Sequence, residues 1–238
     1  MEFSAAQGDQ IQLRPGAWSF GGSTPTHFEE HIGKSVPNYE SGHDLICDIA
    51  DYFLSTTGSK AYDLGCSTGS LIQKLTEARP YENCQFIGVD IEPGMIELAE
   101  ERRIDQANFV CSDILNVEIQ DADLVIMYYT LQFVPPKVRQ VIVDQVFQGL
   151  NWGGGFILFE KVRAPDARFQ DMMTGLYTDF KLRQGFSEAE IVNKTRSLKG
   201  VLEPFSSDGN MGLLRRAGFE DMLPVFKYLS FEGVLAIK

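Results

Sequence analysis

The stretch Tyr62-Asp63-Leu64-Gly65-Cys66-Ser67-Thr68-Gly69 decides the fold of this chain. Apolar residues lead into two closely spaced glycines, and a helical pattern begins directly afterwards, as expected for a strand, a tight turn and a helix. Glycine at such a turn lets the backbone approach a ligand, and the N-terminus of the following helix presents unpaired N–H groups. A purely structural turn would have the same pattern, so the octapeptide alone leaves both interpretations open.

The rest of the chain repeats this alternation of strand and helix. Strands that are apolar on both faces and separated by helices predict an α/β fold with a doubly wound, mostly parallel sheet. Two closing strands, 222–231 and 233–237, are joined tightly, which predicts an antiparallel final strand in a sheet of seven. The other predicted strands are 60–64, 84–90, 108–112, 122–129 and 155–160, and the predicted helices are 67–79, 93–103, 136–150 and one near 209–217.

The domain organisation follows from the same pattern. Residues 1–41 are expected to form an irregular N-terminal arm or lid, and residues 42–238 a single ligand-binding domain. A largely helical, polar insert at about 164–207 interrupts the alternation. We expect this insert to lie as a lid over the edge of the sheet where the strands end.

Composition excludes several classes of partner. The 238 residues contain 21 Lys and Arg against 33 Asp and Glu, so the net charge is −12, which opposes direct binding to nucleic acid. No apolar run reaches the roughly 20 residues that cross a bilayer, so we expect no membrane partner. The four cysteines fit neither a disulfide framework nor a zinc site, which favours a cytoplasmic location. They are Cys47, Cys66, Cys84 and Cys111.

Acidic residues end three successive predicted strands. Asp63 ends the first, Asp90 the second and Asp113 the third. The carboxyl ends of parallel strands meet at one edge of the sheet, where doubly wound sheets bind ligands. Asp90 is placed to accept both ribose hydroxyls of an adenosine, and Asp113 suits an adenine amino group. An isolated strand-end Asp is usually a helix cap, but three in this order are less often coincidental.

The sequence resembles the class I S-adenosylmethionine (SAM) methyltransferases, and within them the carboxy-S-adenosylmethionine synthase group. The resemblance covers the chain from about Trp18 to its C-terminus. The matching stretches are Trp18-Ser-Phe, Lys34-Ser-Val-Pro-Asn-Tyr39, Tyr62-Asp-Leu-Gly-Cys-Ser67, Pro93-Gly-Met-Ile96, Thr130-Leu-Gln-Phe133, Gln148-Gly-Leu-Asn151, Glu160-Lys161, Asp179-Phe-Lys and Gly185-Phe-Ser-Glu-Ala-Glu-Ile191.

The resemblance implies a cofactor, a site and a reaction. The cofactor is SAM, and the family transfers a carboxyl group derived from prephenate to the methyl carbon of SAM for the modification of wobble uridine in tRNA. The residues expected at the SAM site are Tyr39, Asp63, Gly65, Cys66, Ser67, Asp90, Ile91, Asp113, Ile114 and Tyr128.

Two positions depart from the family pattern and decide the ranking of functions. Tyr128 replaces an Asn, and Thr195 replaces an Arg that pairs with the transferred carboxylate, with Arg196 one place later. One residue of offset rotates a helical side chain by about 100°, and Thr cannot supply a guanidinium. We therefore rank SAM-dependent methyl transfer to a small-molecule acceptor first, carboxy-SAM synthesis from SAM and prephenate second, and non-catalytic SAM binding third.

Tyr128 and Arg196 are the candidate catalytic residues. Tyr128 would either orient a reacting group or pack beneath the cofactor. The acceptor can be a carboxylate, because the segment after the fifth strand has an excess of positive charge, although most of these side chains would be solvated. His27 and His31 lack the residues of a metal motif, so no metal site is predicted, and a homodimer is allowed for.

Overall fold

The computed structural model describes residues 16, 18–22, 24–55, 57–78, 81 and 83–238. In chain order the helices are α1 (Thr24–Ser35), α2 (Tyr39–Ala50), α3 (Ser70–Ala78), α4 (Pro93–Glu101), α5 (Pro136–Gly149), α6 (Ala167–Arg183), α7 (Glu188–Ser197) and α8 (Ser207–Ala217). The strands are β1 (Lys60–Leu64), β2 (Gln85–Asp90), β3 (Ala107–Cys111), β4 (Ala122–Tyr128), β5 (Leu150–Lys161), β6 (Asp221–Tyr228) and β7 (Phe231–Ile237). Short 3₁₀ turns follow β3 at Ile114–Asn116 and β4 at Leu131–Phe133.

The seven strands form one sheet in the order β3-β2-β1-β4-β5-β7-β6. The first five are parallel to one another, whereas β7 is antiparallel to both β5 and β6. The predicted α/β class, the doubly wound parallel sheet and the antiparallel final strand are confirmed. The direction of winding reverses between β1 and β4, which is where such sheets form a ligand crevice.

The sheet is buried on both faces, and alternate side chains of β4 contribute to the apolar cluster on each face. Leu124, Ile126 and Tyr128 point into one apolar cluster, which α2 and α3 cover. Val125 and Met127 point into the other, which α5 and α8 cover. Alternate side chains of a strand point to opposite faces, so a strand that is apolar at every position is buried on both.

Two boundaries differ from the sequence predictions for reasons that the structure shows. The helix after β1 begins at Ser70 instead of 67, because Ser67 and Gly69 have positive φ angles of 49° and 74° and belong to the turn. Strand β5 begins at Leu150, which pairs with Ala122, because extra residues of β5, including the glycine run, bulge out before the pairing resumes at Leu124 and Gly155.

The N-terminal segment is helical where an irregular arm was expected. Helix α1 occupies 24–35, and α2 spans the expected boundary between 41 and 42, so these helices continue into the domain. Residues 1–15 lie outside the described residues. The insert contains α6 and α7, as the helical pattern predicts. No helix in the described part of the chain is long and apolar enough to cross a membrane.

Candidate functional site

A cavity of about 890 Å³ lies where the parallel strands end. Every residue predicted at the cofactor site lines it: Tyr39, Asp63, Gly65, Cys66, Ser67, Asp90, Ile91, Asp113, Ile114 and Tyr128. Arg196 does not line it and is exposed on α7. Thr195 does line it, but its hydroxyl donates to the Ile191 carbonyl one turn earlier, at 2.7 Å.

The glycine turn after β1 is held tightly against its neighbours. The Gly65 and Cys66 N–H groups both donate to the Val89 carbonyl, at 2.7 and 3.0 Å. Gly65 has a φ of 89°, and a Cβ there would lie 2.2 Å from Oγ1 of Thr130. Only glycine fits this position, because the conformation and the space both exclude a side chain.

Asp90 is fixed by two backbone donors. One carboxylate oxygen accepts from the Ser67 N–H at 2.9 Å, and the other accepts from the Glu92 N–H at 3.0 Å. Burial raises the pKa of this carboxyl, and the two N–H groups oppose that rise. A carboxylate oxygen accepts about two hydrogen bonds, so each can still accept one from a ribose hydroxyl. Asp90 therefore holds the turn together and is placed to bind a ligand.

Asp63 is a buried acid, and one of its carboxyl oxygens lacks a hydrogen-bond partner among the described residues. Only 3% of it is exposed, and its Oδ1 atom has no hydrogen-bond partner among the described residues. Burial, and secondarily the charge of Asp90, raise the pKa of Asp63 to about 7. A buried polar atom without a partner costs free energy, which a cationic donor would recover. The amino group of SAM is such a donor, so this acid and Asp90 fit the cofactor.

The rim of the cavity carries the residues expected near adenine. Asp113 accepts from the Leu115 N–H at 2.9 Å and so caps the 3₁₀ turn, which is the ordinary role of a strand-end Asp. Ile91 is 62% exposed and Ile114 is partly buried. These apolar side chains form an open surface on which a flat base could pack.

Tyr128 is locked in an aromatic cluster beneath the cavity. Its hydroxyl donates to the carbonyl of Tyr39 at 2.6 Å, and its ring centroid lies 4.6 to 5.1 Å from those of Tyr39, His43, Tyr129 and Phe159. Of the two roles considered for Tyr128, the packed one accounts for these contacts. His43, also on the cavity wall, is buried, and burial lowers its pKa to about 4.

Acidic and basic side chains line different parts of the cavity wall. The acids belong to the β1 to β3 half, and the lysines and arginine to the β4 and β5 half and the lid. The lining acids are Asp63, Asp90, Glu92 and Asp113, and the lining cations are Lys137, Lys161, Arg163, Lys181, Lys194 and Lys199. Chain order at the strand ends locates the acids, but no sequence signal distinguishes the inward lysines from solvated ones.

Sequence reasoning missed two further features of the wall. Tyr177, on α6, lines the cavity in contact with two lysines. His27 and His31 also line it, although the described residues contain no cluster of three or more metal-ligating side chains. Helical spacing marks the apolar face of α6 but does not say which cavity that face meets.

Comparisons with solved structures agree with this fold. A plantazolicin methyltransferase in complex with S-adenosylhomocysteine (SAH) has a TM-score of 0.64 at 14% identity, covering 91% of this chain and 90% of that one. Human N-acetylserotonin methyltransferase in complex with SAM has a TM-score of 0.61 at 19% identity, covering 90% of this chain and 54% of that one. At these identities the likeness establishes the class I methyltransferase fold alone.

Sequence comparisons are more specific. Residues 61–154 match the family described as a methyltransferase domain. The carboxy-S-adenosyl-L-methionine synthase of Staphylococcus epidermidis is 33% identical over 230 residues, covering 96% of this chain and all of that protein. The Escherichia coli enzyme of the same name is 34% identical over 231 residues, covering 94% of this chain and 93% of that protein. The chain is thus a SAM-dependent transferase, and it belongs to the carboxy-S-adenosyl-L-methionine synthase family.

Proposed function

We propose that this chain is a carboxy-SAM synthase, which exchanges a proton on the methyl carbon of SAM for a carboxyl group taken from prephenate. Prephenate would lose CO₂ and its ring hydroxide to leave an aromatic keto acid, the CO₂ would join the methyl carbon, and the displaced proton would combine with the hydroxide as water. This reverses the order in which the sequence alone ranks the two reactions. The observation that carries the proposal is the sorting of charge in the cavity, with acids at β1 to β3 and cations at β4, β5 and the lid. Methyl transfer to a neutral acceptor would not require a wall lined with cations.

The acidic half suits the cofactor. Asp90 would accept from the ribose hydroxyls and Asp63 from the amino group, while the turn at Gly65 leaves the backbone open to the amino-acid end. The bound cofactor supplies an electron-poor methyl carbon attached to a cationic sulfur. The protein aligns the two reactants and excludes water from between them.

The cationic half suits an anionic co-substrate. A carboxylate that leaves water needs charged donors to offset its lost hydration. Lys161 ends β5, and Lys181 and Lys194 extend from α6 and α7, so strand and lid would close around the co-substrate from two sides. These lysines supply the positive charge that Thr195 lacks.

Methyl transfer to a small acceptor is the second candidate. It is favoured by Thr195, whose hydroxyl is committed to its own helix, and by Arg196, which lies outside the cavity. Without a guanidinium at this place, one donor expected beside the transferred carboxylate is absent. Methyl transfer needs little acid–base machinery, so it remains compatible with the rest of the site.

Mass spectrometry distinguishes the two reactions. Purified protein is incubated with SAM and prephenate, and the nucleoside products are separated and weighed. We expect a carboxylated SAM that is absent without prephenate. SAH with a methylated co-substrate would instead establish methyl transfer, and a carboxylated product lost in Arg196→Ala would assign the carboxylate contact to that residue.

Two further expectations belong to this proposal. A cytoplasmic location agrees with the four cysteines, which are all free thiols. A homodimer stays a prediction, and sedimentation of the purified protein would test it. The proposal involves no direct contact with nucleic acid, because the chain itself is strongly acidic.

A further inference from the structure

We propose that Lys161, Lys181 and Tyr177 form a preorganised binding site for a carboxylate group on the lid side of the cavity. The inference deepens the proposed function and rests on it for the identity of the natural ligand. The positions of the two ammonium groups against the Tyr177 ring define the site.

Both lysines are positioned by one aromatic ring. The Nζ atom of Lys161 lies 4.2 Å from the centroid of the Tyr177 ring, and Nζ of Lys181 lies 4.6 Å from it. The Tyr177 hydroxyl donates to the Ser35 carbonyl at 2.8 Å, which anchors the ring between α6 and the end of α1. Two cations from different elements are thus held against one ring before any ligand arrives.

Neither ammonium group has an acidic partner. In the described ranges of the chain, Nζ of Lys161 and Nζ of Lys181 take part in no hydrogen bond and no ion pair, although Lys181 is only 8% exposed. Glu160 precedes Lys161, but its carboxyl is buried, it makes no ion pair with Lys161, and its Oε1 atom has no hydrogen-bond partner among the described residues. Glu232, beside Glu160 in the sheet, bonds to Ser207 and Lys227.

Holding two ammonium groups close together without an acidic partner costs the fold free energy, which an anionic ligand would recover. Burial lowers the pKa of both lysines, and the charge of Lys181 lowers that of Lys161 further, so the two groups repel each other. The Tyr177 ring attracts both cations but offers them no hydrogen-bond acceptor. An anion with two acceptor oxygens satisfies the charge and the hydrogen bonds together, and a carboxylate is the smallest organic group that does so.

A matched pair of small probes tests the site without relying on turnover. Benzoate and benzamide have nearly the same shape and differ in charge. Each is titrated by calorimetry into protein saturated with SAH, using the wild type, Lys161→Met, Lys181→Met and the control Lys34→Met. Lys34 is exposed, is paired with Glu30 on α1 and does not line the cavity.

We expect benzoate to bind the wild type at least about tenfold more tightly than benzamide, and each cavity variant to lose about tenfold for benzoate. SAH affinity should stay within about twofold, and Lys34→Met should behave as the wild type. Replacing a buried, unpaired charge by methionine should also leave the Tm unchanged or higher, which loss of a structural residue would not do.

Other results of these experiments would contradict the proposal. Equal binding of benzoate and benzamide, or unchanged benzoate binding in both cavity variants, would overturn the proposal. A lower Tm together with weaker SAH binding would show that the lysines are structural. Failure to make carboxylated SAM, with charge-selective benzoate binding intact, would overturn the proposed function and leave the carboxylate site standing.

Discussion

The contact between Gly42 and Tyr128 gives a prediction that can be worked out from the structure. Gly42 is buried in the first turn of α2, and a Cβ at this position would lie 2.1 Å from the Tyr128 hydroxyl and 3.0 Å from the ring carbon that carries it. The hydroxyl therefore occupies the space that glycine leaves open. Its hydrogen bond to the Tyr39 carbonyl fastens the start of α2 to the end of β4.

Three terms decide the effect of Gly42→Ala. Alanine in a helix is worth about 1 kcal/mol over glycine. Against this, overpacking costs about 1–3 kcal/mol, and displacing the Tyr128 hydroxyl from its buried bond costs about 1–3 kcal/mol. We expect a net loss of about 2–4 kcal/mol in the free energy of unfolding, or roughly 4–16 °C in Tm.

Tyr128→Phe removes the atom that clashes. Alone it should cost about 1 kcal/mol for the lost hydrogen bond. In the Gly42→Ala background it should restore stability to nearly that of Tyr128→Phe alone, so the two substitutions are coupled by about 2–4 kcal/mol. The double variant is therefore more stable than Gly42→Ala.

Urea unfolding of the four proteins measures this cycle, and calorimetric titration with SAH shows whether the start of α2 affects the cofactor site. Gly175→Ala is the matched control, because Gly175 lies within α6 and nothing lies within 4 Å of an added Cβ. It should be neutral or stabilising by up to about 1 kcal/mol. Additive effects at positions 42 and 128, or a Gly42→Ala variant as stable as this control, would refute the reasoning.

Three further predictions concern ligand binding. Asp90→Ala should weaken SAM binding by about 2–4 kcal/mol, roughly 30- to 1,000-fold. It should also lower the Tm, because the hydrogen bond from the Ser67 N–H is lost. Near wild-type affinity in a calorimetric titration would show that Asp90 does not bind the ribose. Asp63, with a pKa near 7, is mostly protonated at pH 6, and a cation prefers its ionised form, so SAM binding at pH 6 should release protons. Calorimetry in two buffers of different ionisation enthalpy measures this release, which Asp63→Asn should abolish; release that persists in the variant would contradict the assignment. Burial lowers the pKa of Lys161 to about 8, so benzoate affinity should be full below this pH and fall above it. Lys181→Met removes the like charge and should move that fall to higher pH, whereas an unchanged profile would show that the two lysines do not interact.

The local part of the site could be predicted from the sequence. The octapeptide around Gly65 and the acids at three strand ends are determined by neighbours in the chain, because a strand, a turn and a helix start are local structures. Parallel strands then bring Asp63, Asp90 and Asp113 to one edge without further information. Every predicted cofactor-binding residue accordingly lines the cavity.

The opposite wall was decided by tertiary structure. Whether Lys181 or Arg196 faces the cavity depends on how α6 and α7 are rotated against the sheet, and a helix that is polar on several faces does not encode that rotation in its own sequence. Packing turned Lys181 inward and left Arg196 exposed. The orientation of Tyr128 was set in the same way, because the space for its hydroxyl is created by Gly42, 86 residues earlier in the chain and adjacent only after folding.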